Sequence, residues 1–109
     1  MAEVIWTEPA VNDLDAIADY IAIENPDAAR ALVRRVFAHV EQLRRFPASG
    51  SRLPELAARR YRQIVEPPCR VIYRADRRKV FVLHVMRAER RLRRKRLTLA
   101  WEARGRSRL

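Results

Sequence analysis

Residues 79–86 read KVFVLHVM, and this stretch decides the fold because every position from 80 to 86 except His84 is apolar. β-branched and aromatic residues favour a strand, and a strand that is apolar on both faces is buried on both sides. Such a strand lies between neighbours in a sheet, and helices must cover at least one of its faces. The rest of the chain therefore has to supply neighbouring strands and covering helices.

Neighbouring strands are predicted on both sides of this segment in sequence. Residues 61–65 (YRQIV) and 69–74 (CRVIYR) are candidate strands, separated by the breaker EPP, and residues 76–78 (DRR) form a tight turn into position 79. A short N-terminal strand is expected at residues 3–7 (EVIWT). Residues 48–51 (ASGS) are predicted to be a loop.

Two amphipathic helices are predicted between these strands. Thr7 and Asn25 are suited to cap helices that begin with Glu8-Pro9 and Pro26-Asp27. Apolar residues recur every three or four positions from Val11 to Ile21, and again from Ala29 to a close near Phe46. The expected fold is α+β: an N-terminal strand and an antiparallel helical hairpin packed on a mostly antiparallel sheet of three to four strands.

Composition sets the wider limits. The chain has 109 residues, enough for one compact domain, and its single cysteine, Cys69, cannot form an internal disulfide. With no secretory pattern and no apolar run of membrane-spanning length, we expect a cytoplasmic protein that does not enter a membrane. The net charge is +11, distributed as −3 in residues 1–46, +6 in 47–86 and +8 in 87–109. A surface that binds anions must therefore come mainly from the second half.

No metal or cofactor site is expected. His39, His84 and Cys69 lack the spacing of metal ligands, and a chain with two glycines has no glycine-rich phosphate loop. His39 falls among core positions of a helix, where a structural or surface role is the ordinary one.

Arginines on and beside the strands are the main functional candidates. Guanidinium groups on a sheet can grip phosphates or carboxylates through paired hydrogen bonds, although arginines on strands can also serve only to keep an edge soluble. The run from 87 to 96 holds seven basic residues out of ten; it could track a nucleic-acid backbone or remain a solvated tail. The candidate cationic face comprises Arg60, Arg62, Arg70, Arg74, Arg87 and Arg90, with Tyr73 and His84 as further candidates.

The following segments and single residues occur in order along the chain: VIWTEPA (4–10), DL (13–14), Ile17, YI (20–21), NP (25–26), AA (28–29), Leu43, Pro47, Gly50, YRQIV (61–65), Pro68, RVIYR (70–74) and VFVLHV (80–85). Their order and spacing resemble the ParE branch of the RelE/ParE toxin superfamily. The similarity covers about residues 3–92, so we expect a toxin domain at 1–92 and a basic, helical or partly mobile tail at 93–109. Leu97, Leu99 and Trp101 give that tail an apolar side, which could dock on its own domain or on a partner, or the tail could bind DNA.

This resemblance implies the toxin of a type II toxin–antitoxin system, a bacterial protein that inhibits growth, contributes to plasmid stabilisation and is neutralised in a hetero-oligomer with a cognate antitoxin. Two activities occur among such toxins. RelE-like members cut messenger RNA in the ribosome, and ParE-like members block DNA gyrase. In the family the antitoxin wraps an extended or helical segment over the toxin, which a basic sheet and apolar grooves would serve.

The RelE pattern is incomplete in this chain. Arg70 matches its strand arginine, and Arg87 or Arg90 falls near its second arginine. The tyrosine expected shortly afterwards is absent, and residues 57–60 (AARR) replace the expected lysine cluster. Arginine transfers protons poorly because its pKa exceeds 12, so Tyr73 or His84 would have to substitute. Gyrase inhibition without catalysis is therefore favoured over RNA cleavage, and a non-toxic nucleic-acid-binding adaptor is a third interpretation.

Overall fold

The computed structural model describes residues 1–56 and 60–105, which form one sheet with helices on both faces. The strands are β1 (Glu3–Trp6), β2 (Ser51–Arg52), β3 (Tyr61–Glu66), β4 (Cys69–Asp76) and β5 (Lys79–Arg87). The helices are α1 (Glu8–Ala22), α2 (Pro26–Glu41) and α3 (Arg94–Glu102), with a 3-10 turn at Gln42–Arg44.

The strand order in the sheet is β1-β5-β4-β3-β2. Among the described strands, only β1 and β5 pair in parallel, so the α+β fold with a mostly antiparallel sheet is confirmed. β5 lies between β1 and β4, as its two apolar faces predicted. The expected count of three to four strands is too low by one, because Ser51 and Arg52 pair with Gln63 and Arg62 instead of belonging wholly to a loop.

The two predicted helix caps are present. Thr7 accepts a hydrogen bond from the amide of Ala10, and Asn25 accepts one from Ala28, with a proline at the start of each helix. Thr7 is fully buried, and its hydroxyl also donates to the carbonyl of Val82 at 2.7 Å, which ties the start of α1 to β5. The second helix ends earlier than the expected position near residue 46, because the chain tightens into the 3-10 turn after Glu41.

The main core lies between the helical hairpin and the sheet. Alternation on the strands directs one set of side chains towards α1 and α2. These buried residues include Trp6, Leu14, Leu32, Val36, Val40, Val71, Tyr73, Val80, Val82 and Val85.

A second, smaller core lies on the opposite face of the sheet, beneath α3. Leu97 and Ala100 of α3 are buried against Ile72, Phe81 and Leu83. Residues 94–102 of the tail thus form a helix that packs on its own domain, which is one of the arrangements expected from the sequence. A helix that spans a bilayer would need about 18 apolar residues, and no helix in the described part of the chain meets that requirement.

Candidate functional site

Arg70 is buried within the fold. Its side chain is 5% exposed and forms an ion pair with Glu55, with Nη2 2.5 Å and Nη1 3.0 Å from the two carboxylate oxygens. Nη1 also donates to Oε1 of Gln63 at 2.9 Å, and Nη2 donates to the carbonyl of Arg90 at 2.7 Å. This guanidinium therefore joins β3, β4 and two loops, and it has little surface left for a target molecule.

Glu55 is held in its charged form by these contacts. The hydrogen bonds from Arg70 lower its carboxyl pKa from 4.5 to about 2, against the opposing effect of burial, and the amide of Leu92 donates to the same carboxylate at 2.8 Å. The pair fixes the segment after β5 against the loop that contains Glu55. The Arg70–Glu55 pair therefore has a structural role.

Tyr73 is also internal. Its ring is fully buried, and its hydroxyl donates to the carbonyl of Pro47 at 2.8 Å and accepts from the amide of Gly50 at 2.9 Å. Burial raises the pKa of this hydroxyl, which disfavours proton release. Arg62 donates to the carbonyl of Gly50 at 2.9 Å, so it too is engaged with this loop.

Arg74 lies beneath α3. Its guanidinium carbon is 3.7 Å from the centre of the Trp101 ring and 5.8 Å from that of Tyr61. Arg104 stacks on Trp101 at 4.0 Å, and Phe81 meets the same indole edge-on at 5.0 Å. Arg74 thereby helps to hold α3 on the sheet through cation–π contact.

Arg87 and Arg90 do line an accessible surface. They belong to an open groove of about 740 Å³ between α1, the end of β5 and the start of α3, which we call the arginine groove. Arg87 forms an ion pair with Glu89 at 2.8 Å, whereas Arg90 is exposed. The groove is lined by Asp13, Ala16, Ile17, Tyr20, His84, Val85, Met86, Arg87, Arg90, Arg91, Arg93 and Arg96.

His84 enters this groove because β5 carries a bulge. The register of β4 and β5 passes from Ile72 opposite His84 to Tyr73 opposite Val82, so β5 has one extra residue there. A bulge of this kind re-aims a side chain. The ring Nδ1 of His84 forms a short contact with a carboxylate oxygen of Asp13, which also accepts from the amide of Val85 at 3.2 Å.

Asp13 connects three elements at this point. Its second carboxylate oxygen accepts from Nη2 of Arg96 at 2.6 Å, so one side chain of α1 holds both β5 and α3. Nε2 of His84 has no hydrogen-bond partner within residues 1–56 and 60–105. His84 itself is buried, at 8% relative exposure, and forms part of the groove wall.

The structure divides the candidate cationic face, because its arginines have different surroundings. Arg70 is buried by its ion pair, Arg62 is bound to a loop carbonyl, and Arg74 is covered by Trp101. Arg60 is exposed just before β3 and is not among the residues that line the groove, whereas Arg87 and Arg90 are. Residues 57–59, which stand where a lysine cluster was expected, lie outside the described residues, as do residues 106–109 of the tail.

Sequence reasoning did not single out Asp13 and Glu55, the carboxylates that contact candidate residues, or Tyr20, which lines the groove. Residues 13, 16, 17 and 20 lie on one side of α1 at helical spacing, which was a readable signal for a common face. The pairing of Asp13 with His84 spans 71 positions, and no local pattern announces it.

His39 and Cys69, the other two side chains considered as metal ligands, make contacts outside the groove lining. His39 contacts Glu66 at 3.0 Å beside the Arg35–Glu66 pair, and Cys69 is buried, which raises the pKa of its thiol. Within the described residues, no three His, Cys, Asp or Glu side chains come together as metal ligands.

Comparison with known proteins agrees with the fold. Residues 4–92 match the family model described as the ParE toxin of the type II toxin–antitoxin system parDE. The chain is 38% identical over 78 residues to the toxin RelE2 of Caulobacter vibrioides, covering 70% of this chain and 84% of that one. It is 37% identical over 83 residues to Y4kP of Sinorhizobium fredii, covering 76% and 84%.

A solved structure, described as a chromosomal ParDE toxin–antitoxin system from P. aeruginosa, has the same fold. The TM-score is 0.69 at 26% sequence identity, with 82% of this chain and 98% of that chain covered. The helical hairpin, the sheet and these relatives together define a toxin of a type II toxin–antitoxin system, within the RelE/ParE superfamily. The chain belongs to the ParE toxin family.

Proposed function

We propose that this toxin inhibits growth by binding DNA gyrase in the cytoplasm, and that a cognate antitoxin neutralises it. One observation carries the proposal: two side chains nominated for RNA cleavage, Arg70 and Tyr73, are buried and hydrogen-bonded within the fold. A toxin that acts by binding needs no proton-transfer group. It needs an exposed surface, which the arginine groove supplies.

The burial of Arg70 weighs against phosphate chemistry at that position. To orient a phosphate, its guanidinium would have to exchange the Glu55 carboxylate for the ligand, and Glu55 would then lose the partner that holds its pKa near 2. Tyr73 would have to give up two hydrogen bonds and release a proton from a buried hydroxyl. Both steps would break contacts that stabilise the fold.

RNA cleavage is the second candidate function, because one observation favours it. His84 contacts Asp13 and lines the same groove as Arg87 and Arg90, and imidazole is the side chain that most often transfers protons in enzymes. A nuclease of this kind would depend on His84, whereas gyrase inhibition would not require its proton transfer.

A paired assay separates the two functions. Purified protein is added to a gyrase supercoiling reaction and, in parallel, to a translating ribosome system with labelled message. We expect supercoiling to be inhibited and the message to stay intact. His84→Gln should retain inhibition of supercoiling. Cuts in the message that disappear in His84→Gln would contradict the proposal and assign RNA cleavage instead.

A charge-matched pair of variants tests the surface. Arg87→Gln with Arg90→Gln removes two cations that line the groove, and Arg77→Gln with Arg78→Gln removes two exposed cations from the turn between β4 and β5. The first variant should inhibit gyrase at least about tenfold less well, and the second should match the original protein. Equal inhibition by both variants would remove the groove from the proposal.

The genetic context tests the toxin assignment itself. A short DNA-binding protein with an acidic tail, encoded next to this chain, would be the expected antitoxin, and co-expression should restore growth. A protein that never inhibits growth, yet binds duplex DNA with steep salt dependence, would instead fit the adaptor interpretation.

A further inference from the structure

We infer that the helical hairpin binds the hairpin of a second copy of this chain, so that the protein forms a weak homodimer. The surface involved is a groove of about 390 Å³ between α1 and α2, which we call the hairpin groove. Every described residue that lines it belongs to one of these two helices, so the groove opens away from the sheet. Among the described residues it shares no lining residue with the arginine groove, and the inference is therefore independent of the target that the toxin inhibits.

Apolar side chains form much of the lining of the hairpin groove. Ala18 and Ala22 come from α1, and Ala29 and Val33 come from α2. Ile23, which follows α1 directly, is 80% exposed. A second helix packed along this groove would remove these side chains from water. The outer face of the hairpin thus has the apolar centre that a contact between helices buries.

Opposite charges stand on the two sides of this groove. Asp19 lies on α1, whereas Arg30 and Arg34 lie four positions apart on α2 and therefore point to the same side of that helix. All three side chains are exposed. In the described part of the chain no ion pair involves Asp19 or Arg34, whereas Arg30 pairs with Asp27. An acid on one helix and bases on the other make the face complementary to itself.

A two-fold axis parallel to the helices satisfies this complementarity. Such an axis places α1 of one copy against α2 of the other and keeps each residue at its own height along the helices. Asp19 and Arg34 share the groove within one copy, so they face each other between the two copies. An axis across the helices would instead place α1 against α1, with acid against acid. The first arrangement also makes all neighbouring helices antiparallel, which favours their dipoles.

A partner with charges of one sign fits this face less well. An acidic helix would find Arg30 and Arg34, but it would also bring its acids towards Asp19. A basic helix would meet the reverse problem. A second copy presents the opposite sign to each of these side chains, so self-association uses all of the charges in the groove.

The size of the face sets the expected strength of the dimer. The two helices have 15 and 16 residues, so each is about 22–24 Å long, and two helices side by side are about 20 Å wide. The contact is therefore about 450 Å² per copy, or roughly 900 Å² in total, which lies at the low end for specific interfaces. We expect a dissociation constant in the micromolar range.

Sedimentation equilibrium of the full-length protein measures the association. Samples between about 5 μM and about 500 μM are compared, and the apparent mass should rise from the monomer value of 12.8 kDa towards twice that value. The buffer has physiological ionic strength, because the net charge of +11 makes two copies repel each other and salt screens that repulsion beyond about 8 Å.

A charge swap tests the pairing across the interface. Asp19→Arg alone and Arg34→Asp alone should each weaken the dimer at least about tenfold, because two-fold symmetry brings like charges together at two points. The variant that carries both substitutions restores opposite charges and should recover most of the affinity. Arg78→Asp, in the exposed turn between β4 and β5, is the matched control and should change the affinity by less than about twofold.

The two single variants also separate local pairing from net charge. Asp19→Arg makes the protein more basic, and Arg34→Asp makes it less basic. If only the overall repulsion mattered, the first variant would weaken the dimer and the second would strengthen it. Weakening by both substitutions requires contact between these positions. Both side chains are exposed, so thermal unfolding of each variant should match the original protein.

Any of three results would overturn the inference: a monomer at every concentration, single variants whose affinities change in opposite directions, or a double variant that recovers nothing. If the monomer instead binds a glutamate-rich helical peptide and Arg34→Asp abolishes that binding, the groove belongs to an acidic partner. The measurement contains no gyrase and no ribosome. Failure of the dimer would therefore leave gyrase inhibition standing, and a failed supercoiling assay would leave the dimer standing.

Discussion

Replacing Glu55 by glutamine tests whether its buried ion pair with Arg70 stabilises the fold. The substitution keeps the shape of the side chain but removes the charge that lies 2.5 Å from Nη2 of Arg70. Arg70, whose side chain is 5% exposed, then remains buried without a counter-charge. Breaking a buried pair from one side costs roughly 3–5 kcal/mol, so we expect the free energy of unfolding at neutral pH to fall by about 3 kcal/mol.

The pH dependence provides a second route to the same magnitude. The pKa of the Glu55 carboxyl is about 2 in the folded protein, against an ordinary value of 4.5. That separation corresponds to about 3 kcal/mol. Because the folded pKa is the lower one, the stabilisation is fully present above the ordinary value and is lost as the pH falls towards about 2. Glu55→Gln should remove this part of the acid sensitivity.

Urea unfolding, followed by the fluorescence of Trp6 and Trp101, measures both effects between about pH 7 and about pH 2.5. Other carboxylates titrate in this range, so the relevant quantity is the difference between the original protein and the variant. Glu24→Gln, at an exposed position after α1, is the control and should change stability by less than about 0.5 kcal/mol. If Glu55→Gln lowers the free energy of unfolding by less than about 1 kcal/mol at neutral pH, the reasoning is refuted. It is also refuted if the difference in stability between the original protein and the variant stays the same at acid pH.

Three further predictions concern the contacts that position the groove and its supports. Gly50→Ala should destabilise the fold by at least about 2 kcal/mol in thermal unfolding, because the new Cβ would lie 2.6 Å from both the Gln63 carbonyl oxygen and the Tyr73 hydroxyl. Thr7→Ala should cost about 1–2 kcal/mol in urea unfolding, since α1 loses its cap and its tie to β5; an unchanged midpoint would contradict this. Trp101→Ala should destabilise the packing of α3 by about 2 kcal/mol, which should appear as faster amide hydrogen exchange in residues 94–102. Unchanged exchange there would show that the contacts of Arg74 and Arg104 with Trp101 do not hold the helix.

Local patterns were sufficient for much of the fold. The positions of β3, β4 and β5 follow the predicted strands to within two residues, because alternation and turn residues are encoded side by side in the chain. Thr7 and Asn25 cap the two helices as predicted, since a cap bonds to an amide three residues away. β2 was missed because its two residues become a strand only by pairing with β3.

The candidate site was less predictable. Alternation along β4 places Arg70 and Arg74 on one face of that strand, but it carries no information about what covers that face. Glu55 buries Arg70 from a loop, and Trp101 covers Arg74 from a helix near the end of the chain. Exposure is a property of the assembled layers, so neither outcome could be obtained from the strand itself.

By itself, the sequence determined the α+β class, the helical hairpin and the central strand, because periodicity and caps act over a few residues. The toxin family was indicated separately, by the resemblance of the ordered segments. Only the tertiary structure decided which arginines remain available to a partner. An ion pair needs an acid from a distant element, as with Asp13 and His84, and the energy of that contact depends on burial that exists only after the layers have packed.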